Sequence, residues 1–185
     1  VNANSQINAI INFLKKENLN KTIVLIPKSN YEDEIKNILS KSKYSFSEIY
    51  SYNAEPNQLT SQIEQITNYN ERKKNLERRI KILEVSDLPN DKRELEDLKK
   101  KYTIGEVNFD SVLIADFGEN LKSVTNSFSF SDVTVQDVKF ITLNQWFDKT
   151  LLKESSANHI YFPSIKLTNY SKFRENYFKN YNKYP

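Results

Sequence analysis

Cysteine is absent from this sequence of 185 residues, which also has one histidine and only two glycines. Without cysteine the chain forms no disulfide, has no thiolate nucleophile and cannot hold a cysteine-ligated zinc ion. The single histidine, His159, excludes a histidine-rich metal site, and no Ser-His-acid triad can be proposed around it. Two glycines are too few for a glycine-rich phosphate loop. These absences predict a protein without catalytic residues, metal or cofactor, in which His159 is structural.

Long apolar runs and a strong charge bias are also lacking. No segment approaches the roughly 20 apolar residues needed to cross a bilayer, and no basic-then-apolar leader follows Val1. The chain has 27 basic and 24 acidic residues, a net charge of +3 that is too small to require a nucleic-acid partner. A helical pattern begins almost directly after Val1, so we expect the sequence to start partway through a larger protein.

The segment 109–121 is the feature around which the rest of the chain is organised. Residues 112–115 form a continuous apolar run that predicts a strand buried on both faces. Asp116 ends this run, and Gly118 allows a sharp turn before a helical pattern begins. A strand, a turn and a helix in this order are the core unit of a parallel α/β sheet. Ligands of such sheets bind beyond the carboxyl ends of the strands, which places Asp116 at a candidate site.

The remaining sequence alternates between strand and helix patterns. Strands are predicted at 22–26, 47–52, 139–143 and 160–162, with 47–52 nearer the sheet edge. Asn4 or Ser5 is predicted to cap the first helix, and Ser29 and Glu32 have the spacing of a capping box. A final aromatic helix is expected near 170–181. This order predicts a doubly wound three-layer α/β/α sandwich with a mostly parallel sheet, a single lobe over 1–185.

An inserted antiparallel helical hairpin is predicted at 67–106. Its basic residues suggest nucleic-acid binding at first, but acidic residues interleave with them, many at i+3 or i+4. This is typical of a solvated coiled coil, and no aromatic side chains interleave to stack on bases. We therefore expect no nucleic-acid partner, although such a hairpin can dock a protein. We also expect that a short linker could replace it and leave a cooperatively melting domain. The basic residues in question are Arg72, Lys73, Lys74, Arg78, Arg79 and Lys81.

The order and spacing of several segments resemble one lobe of the periplasmic type I binding-protein (Venus-flytrap) fold. The segments are Asn4-Ser5-Gln6, 22–27 followed by Tyr31, 109–117, 140–148 and the ending 177–185. The branch most similar to them is that of penicillin-binding-protein activators and branched-chain amino-acid receptor-like proteins. The resemblance implies a second lobe, N-terminal to this one, and a ligand held between the two. It also implies a periplasmic location, with an outer-membrane lipoprotein as one form of the full-length protein.

The resemblance also implies which positions of this lobe contact a ligand. In amino-acid receptors these are two aromatic residues and a carboxylate, which correspond to Tyr31, to Asp116-Phe117 and to Asn144-Gln145. Because an amide stands in place of the carboxylate, a free amino acid would lack its charged partner unless Asp116 supplied it. Packing on the sheet for Tyr31 and helix capping for Asp116 are the structural alternatives. The full predicted rim is Lys28, Ser29, Tyr31, Asp116, Phe117, Asn144 and Trp146.

Three functions stay open at this point. The first is a non-catalytic lobe that regulates peptidoglycan synthesis by contact with a cell-wall synthase. The second is solute capture for an amino-acid-type ABC transporter. The third, from another class, is an α/β enzyme whose catalytic groups lie in the absent lobe. The exposed aromatic rim, with Trp146 as an interaction anchor, also predicts that an isolated lobe self-associates.

Overall fold

In the part of the chain that the structure describes, four parallel strands form a sheet. The computed structural model describes residues 2–144, 150–153, 155, 158–164 and 167–185. The strands are β1 (Thr22–Pro27), β2 (Glu48–Tyr52), β3 (Ser111–Ile114) and β4 (Lys139–Thr142). Their order in the sheet is β2-β1-β3-β4. The helices are α1 (Ala3–Lys16), α2 (Glu32–Lys41), α3 (Pro56–Ile66), α4 (Tyr69–Glu84), α5 (Pro89–Leu98), α6 (Gly118–Phe130) and α7 (Leu167–Tyr181), with a 3₁₀ turn at Leu151–Lys153.

Helices cover both faces of the sheet, which confirms the predicted three-layer sandwich. Because side chains alternate along a strand, Ile23 and Leu25 of β1 face one layer while Val24 and Ile26 face the other. The side chains on the first face of the sheet form a core cluster with α3 and α6, and those on the second face form a cluster with α1 and α2. All six residues of β1 and all four of β3 are buried. The continuous apolar runs in the sequence follow from this burial on two faces.

The order of the strands reverses between β1 and β3. From β1 the chain passes through α2 to β2 on one side, and it later returns to β3 and β4 on the other side. The register pairs Thr22 with Ser111 and Leu25 with Ile114. The carboxyl ends of β1 and β3 therefore flank the switch point at which ligands bind in open α/β sheets.

Two predicted helix caps were wrong. Asn2 caps α1, because its side-chain oxygen accepts a hydrogen bond from the Ser5 amide at 2.9 Å. No capping box forms at α2: Tyr31 occupies the N-cap position without a side-chain bond. The Glu32 carboxylate instead accepts from Lys36 at 2.6 Å and from the Ser51 hydroxyl at 2.5 Å. A partner one turn along the same helix, Lys36, and a tertiary partner, Ser51, thus take the place of the cap that the spacing indicated.

The predicted fifth strand is reduced to a single parallel bridge between Ile141 and Tyr161. The Tyr161 amide donates to Phe140 at 2.9 Å, and its carbonyl accepts from Thr142 at 2.8 Å. His159 adopts a left-handed conformation with φ 65° just before this segment. Pro163 follows it and has no amide hydrogen to donate. The extended segment between them is too short to continue the ladder.

Helices α4 and α5 pack against each other as a hairpin, called the arm below together with the turn that joins them. Leu76, Leu83 and Leu98 are buried in a seam separate from the two main clusters. The Arg79 guanidinium donates twice to Glu94, at 2.8 and 2.7 Å. Helices zipped along a narrow apolar seam were the sequence-based expectation, while the boundary at 67–106 stays a prediction.

The base of the arm is fixed to the body by Arg72, which was predicted to be solvated but is only 8% exposed. Its guanidinium donates to the carbonyls of Gly105 at 3.0 Å, Ser131 at 3.1 Å and Asp132 at 3.0 Å. Ser131 is the C-cap of α6. A cation is favourable there because the unpaired carbonyls give this end of a helix partial negative charge. Arg72 thus ties the arm to the end of α6.

None of the helices in the described ranges is both long and apolar enough to span a membrane.

Candidate functional site

The candidate site is the carboxyl edge of the sheet at the switch point between β1 and β3. The loop 28–31 leaves β1 there, and the segment 115–118 leaves β3 beside it. Gly118 has φ +54°, in the left-handed region that suits glycine, and apart from its chain neighbours and the backbone of its own helix no atom lies within 4 Å of where a Cβ would stand. This glycine lets the chain turn from the buried strand into α6. The side chains on both loops consequently lie close to one another.

Asp116 is the buried centre of this edge, with 3% of its surface exposed. Its Oδ1 accepts from the Phe117 amide at 2.7 Å and from the Tyr31 hydroxyl at 3.4 Å. Its Oδ2 accepts from the hydroxyl of Tyr52, which is fully buried. These donors satisfy a buried carboxylate in the way that burial requires. Asp116 therefore organises the edge from inside by joining β1, β2 and β3.

Burial raises the pKa of the two tyrosines that donate to Asp116. It is the main cause that raises the pKa of Tyr31 to about 12, and the neighbouring Asp116 charge adds to it. The pKa of Tyr52 is also raised, first by burial and then by its hydrogen bond to Asp116. Both hydroxyls consequently stay protonated far above neutral pH and remain hydrogen-bond donors.

We expect the protein to lose stability above pH 10, before these tyrosines titrate in the folded state. An unfolded tyrosine has a pKa near 10, so above that pH the unfolded chain releases protons that the folded chain keeps. The stabilisation is complete below pH 10 and declines as the pH rises toward 12 and beyond. Urea unfolding at pH 8, 9.5 and 10.5 measures this decline.

Tyr52→Phe should make that decline shallower because it removes one of the groups that titrate only after unfolding. Tyr102, which is 73% exposed, provides the matched control. Tyr102→Phe should leave the pH dependence of the parent unchanged. An identical decline in parent and Tyr52→Phe would show that Tyr52 does not contribute to it.

The exposed part of the edge, called the rim below, consists of the predicted residues that solvent reaches. Lys28 and Ser29 are exposed, Tyr31 is half-buried, and Phe117 is 36% exposed. Asn144, also half-buried, follows β4 and is held by its backbone amide, which donates to Gln6 at 2.8 Å. Of the predicted site residues, the structure joins Tyr31 to Asp116 directly and places Lys28, Ser29, Phe117 and Asn144 along the same edge. Trp146 and Gln145 lie outside the described residues.

Tyr52, the last residue of β2, was not among the site residues predicted from the sequence. Its register partner is Pro27, and its carbonyl accepts from the Lys28 amide at 2.8 Å. A tyrosine at the end of a strand that neighbours β1 was the available signal. All parallel strands end at the same edge, so Tyr52 belongs with Tyr31 and Asp116.

A cleft of about 550 Å³ lies at the opposite, amino edge of the sheet. Among its lining residues, Asp110 and Asp137 have carboxylates that accept from backbone amides, at 2.8 Å from Asn20 and at 2.7 Å from Thr134. Both carboxylates are therefore already hydrogen-bonded to the backbone of nearby loops. Within the described part of the chain, no three His, Cys, Asp or Glu side chains group to hold a metal ion. The carboxyl edge remains the better candidate for a binding site because it lies at the switch point.

Comparison with known proteins supports the fold. No family model matches this chain, and no curated protein matches it. Among solved structures it is similar to an extracellular ligand-binding receptor from Verminephrobacter eiseniae ef01-2, with a TM-score of 0.51 and 10% sequence identity. The match covers 98% of this chain and 45% of the receptor, so the chain spans less than half the length of that protein. The chain has the fold of one lobe of a type I periplasmic binding protein.

Proposed function

We propose that this chain is a non-catalytic binding lobe of a two-lobed periplasmic or extracellular protein, and that its rim contacts a small ligand. Support comes from the switch-point geometry and from the likeness to a receptor of which this chain matches 45%. In a two-lobed protein of this fold, the rim faces a second lobe across the cleft that holds the ligand. Cofactors and metals have no part in this proposal.

The observation that carries the proposal is the buried network of Asp116, Tyr31 and Tyr52 beneath the exposed Phe117. Such a network holds the surface residues in place before a ligand arrives, which lowers the ordering cost of binding. Asp116, the only carboxylate among the predicted site residues, is buried beneath the rim. An exposed cation, Lys28, follows β1 at the same edge of the sheet. The rim therefore suits a neutral or anionic ligand with an apolar part better than a free ammonium group.

Binding measured on the full-length protein tests this proposal. The probes are free amino acids, sugars, small dicarboxylates and short cell-wall peptides, screened by thermal shift and then by calorimetry. Phe117→Ser or Lys28→Ala should weaken the binding of a hit about tenfold, the effect of losing about 1.4 kcal/mol of contact. Phe130→Ser is the matched control because Phe130 is 78% exposed at the other end of α6. A hit that is equally weakened by Phe130→Ser, or unaffected by both rim variants, contradicts the proposal.

Regulation of cell-wall synthesis by protein contact is the second candidate. It is favoured by the arm, whose exposed aliphatic residues Ile82, Val85 and Leu88 offer a surface for a protein rather than for a solute. Pull-down of purified peptidoglycan synthases with the full-length protein discriminates the two candidates. A solute receptor should retain none of them and should show a ligand-induced thermal shift.

A further inference from the structure

The two helices of the arm carry opposite charge. Helix α4 contains six basic and three acidic residues, whereas α5 contains two basic and four acidic residues. Ion pairs between the helices join Arg79 to Glu94 at 2.7 Å and Lys99 to Glu84 at 3.2 Å. Glu94 therefore neutralises Arg79 of α4, while Lys99, the residue after α5, pairs with a carboxylate of α4, and α4 keeps an excess of positive charge.

That excess forms a stripe of three side chains, Lys74, Arg78 and Lys81, called the basic stripe. The spacing i, i+4 and i+7 places them on one face of α4, away from Leu76 and Leu83 of the buried seam. All three are exposed. Among the described residues, no carboxylate lies within 4.0 Å of Lys74 or Lys81, and Arg78 reaches Glu71 only at 3.5 Å. The stripe is thus a row of exposed cations of which Arg78 alone has an ion-pair partner among the described residues.

An apolar patch continues the basic stripe at the end of the arm. Val85, the next position along the same face, is 86% exposed, Ile82 beside it is 57% exposed, and Leu88 in the turn is 64% exposed. These three aliphatic residues are called the apolar tip. Single exposed apolar residues are ordinary on protein surfaces, whereas a group within seven positions at a protruding end is typical of an interaction site.

We propose that the basic stripe and the apolar tip together dock an acidic protein surface that carries an apolar contact of its own. An apolar centre beside a charged margin is the usual anatomy of a protein interface. Arg72 fixes the base of the arm through three carbonyls, so docking requires little further ordering of the arm.

The charges around the tip distinguish a protein from a lipid bilayer or a nucleic acid. Glu77 is exposed among the basic residues, and Glu84 and Asp87 are exposed beside the apolar tip although they pair with Lys99 and Lys92. A uniformly anionic bilayer or phosphate backbone would repel these carboxylates, while a protein surface can offer them cations. Aromatic side chains that would stack on bases are absent from α4 beyond Tyr69.

Site-specific cross-linking in the cells that make this protein tests the proposal. The full-length chain carries the photo-reactive residue p-benzoylphenylalanine in place of Val85, and the cross-linked peptide is identified by mass spectrometry. We expect one predominant protein, cross-linked through a segment with more carboxylates than basic residues. Charge reversal of the stripe with Lys74→Glu, Arg78→Glu and Lys81→Glu should lower the cross-linking yield at least tenfold.

A matched charge reversal on the body of the protein is the control. Lys15→Glu, Lys41→Glu and Lys43→Glu change the net charge equally at exposed positions and should preserve the yield. Circular dichroism and melting of each variant verify that the fold is intact. The proposal is overturned if no protein is captured, if the product joins two copies of this chain, a lipid or a nucleic acid, or if the yield survives reversal of the stripe.

Discussion

Arg72→Met should lower the free energy of unfolding by about 3 kcal/mol, since it removes charge-assisted hydrogen bonds from three carbonyls in buried or partly buried surroundings. Methionine keeps the apolar stem and the helix propensity of the replaced side chain, so the change isolates the guanidinium. The three carbonyls of Gly105, Ser131 and Asp132 would lose their donor, and the end of α6 would lose its cation. Urea unfolding followed by circular dichroism measures the difference.

Arg78→Met is the control for this prediction, as it alters the same residue type on the same helix. The Arg78 side chain is 67% exposed and its contact with Glu71 is 3.5 Å long. Exposed ion pairs of this kind contribute little, so the change should stay within about 0.5 kcal/mol. Similar effects for Arg72→Met and Arg78→Met would show that the contacts of Arg72 with the body do not stabilise the fold.

Asp116→Ala should lower the free energy of unfolding by about 3 kcal/mol, because it leaves the buried Tyr52 hydroxyl without its acceptor. The Phe117 amide and the Tyr31 hydroxyl would each lose a bond as well. Asp116→Asn keeps an acceptor oxygen and should cost less. Denaturant unfolding at pH 7 gives all three values.

A double-mutant cycle identifies the cause of that loss. If the stranded hydroxyl dominates, Tyr52→Phe combined with Asp116→Ala should cost less than the sum of the two single changes, by about 1 kcal/mol or more. Strict additivity would mean that the two groups do not stabilise each other.

The same variants bear on whether the full-length protein is an enzyme. We propose that it is not, and that Asp116 organises the rim. Under that proposal Asp116→Asn is a folded protein with altered ligand binding. A turnover reaction of the full-length protein that Asp116→Asn abolishes, while circular dichroism shows the variant folded, would favour the alternative of an α/β enzyme whose catalytic groups lie in the absent lobe.

The sequence alone was enough to predict the layers of the sandwich and the alternation of strands and helices along the chain, but not the contacts that fix the site. The apolar run 112–115 predicts a doubly buried strand because little else explains so many adjacent β-branched and aliphatic residues. Asp116 could be placed at the carboxyl edge of the sheet because it ends this apolar run. Its role beneath the rim could not be predicted, since it depends on Tyr31 in the loop after β1 and on Tyr52 at the end of β2.

Arg72 shows the same limit, with a signal that was present but ambiguous. It lies four residues before Leu76, on the stripe of α4 that forms the buried seam. A charged residue at such a position is either a solvated end of the helix or a buried donor. Only the carbonyls at the end of α6, about 60 positions further along, decide between the two.

The pairing of β1 with β3 has a consequence for the speed of folding. Thr22 and Ser111 meet across 89 positions of sequence, and β3 cannot complete the sheet until that loop has closed. Pairing between such distant segments slows folding because the entropy of closure is lost before the contacts form. The arm occupies part of this loop, and its two helices pack through contacts between positions that are close in sequence, such as Arg79 and Glu94. By forming early, the arm would shorten the flexible chain between the two strands. The inserted hairpin would then speed up the pairing of β1 with β3, which its added length would otherwise slow.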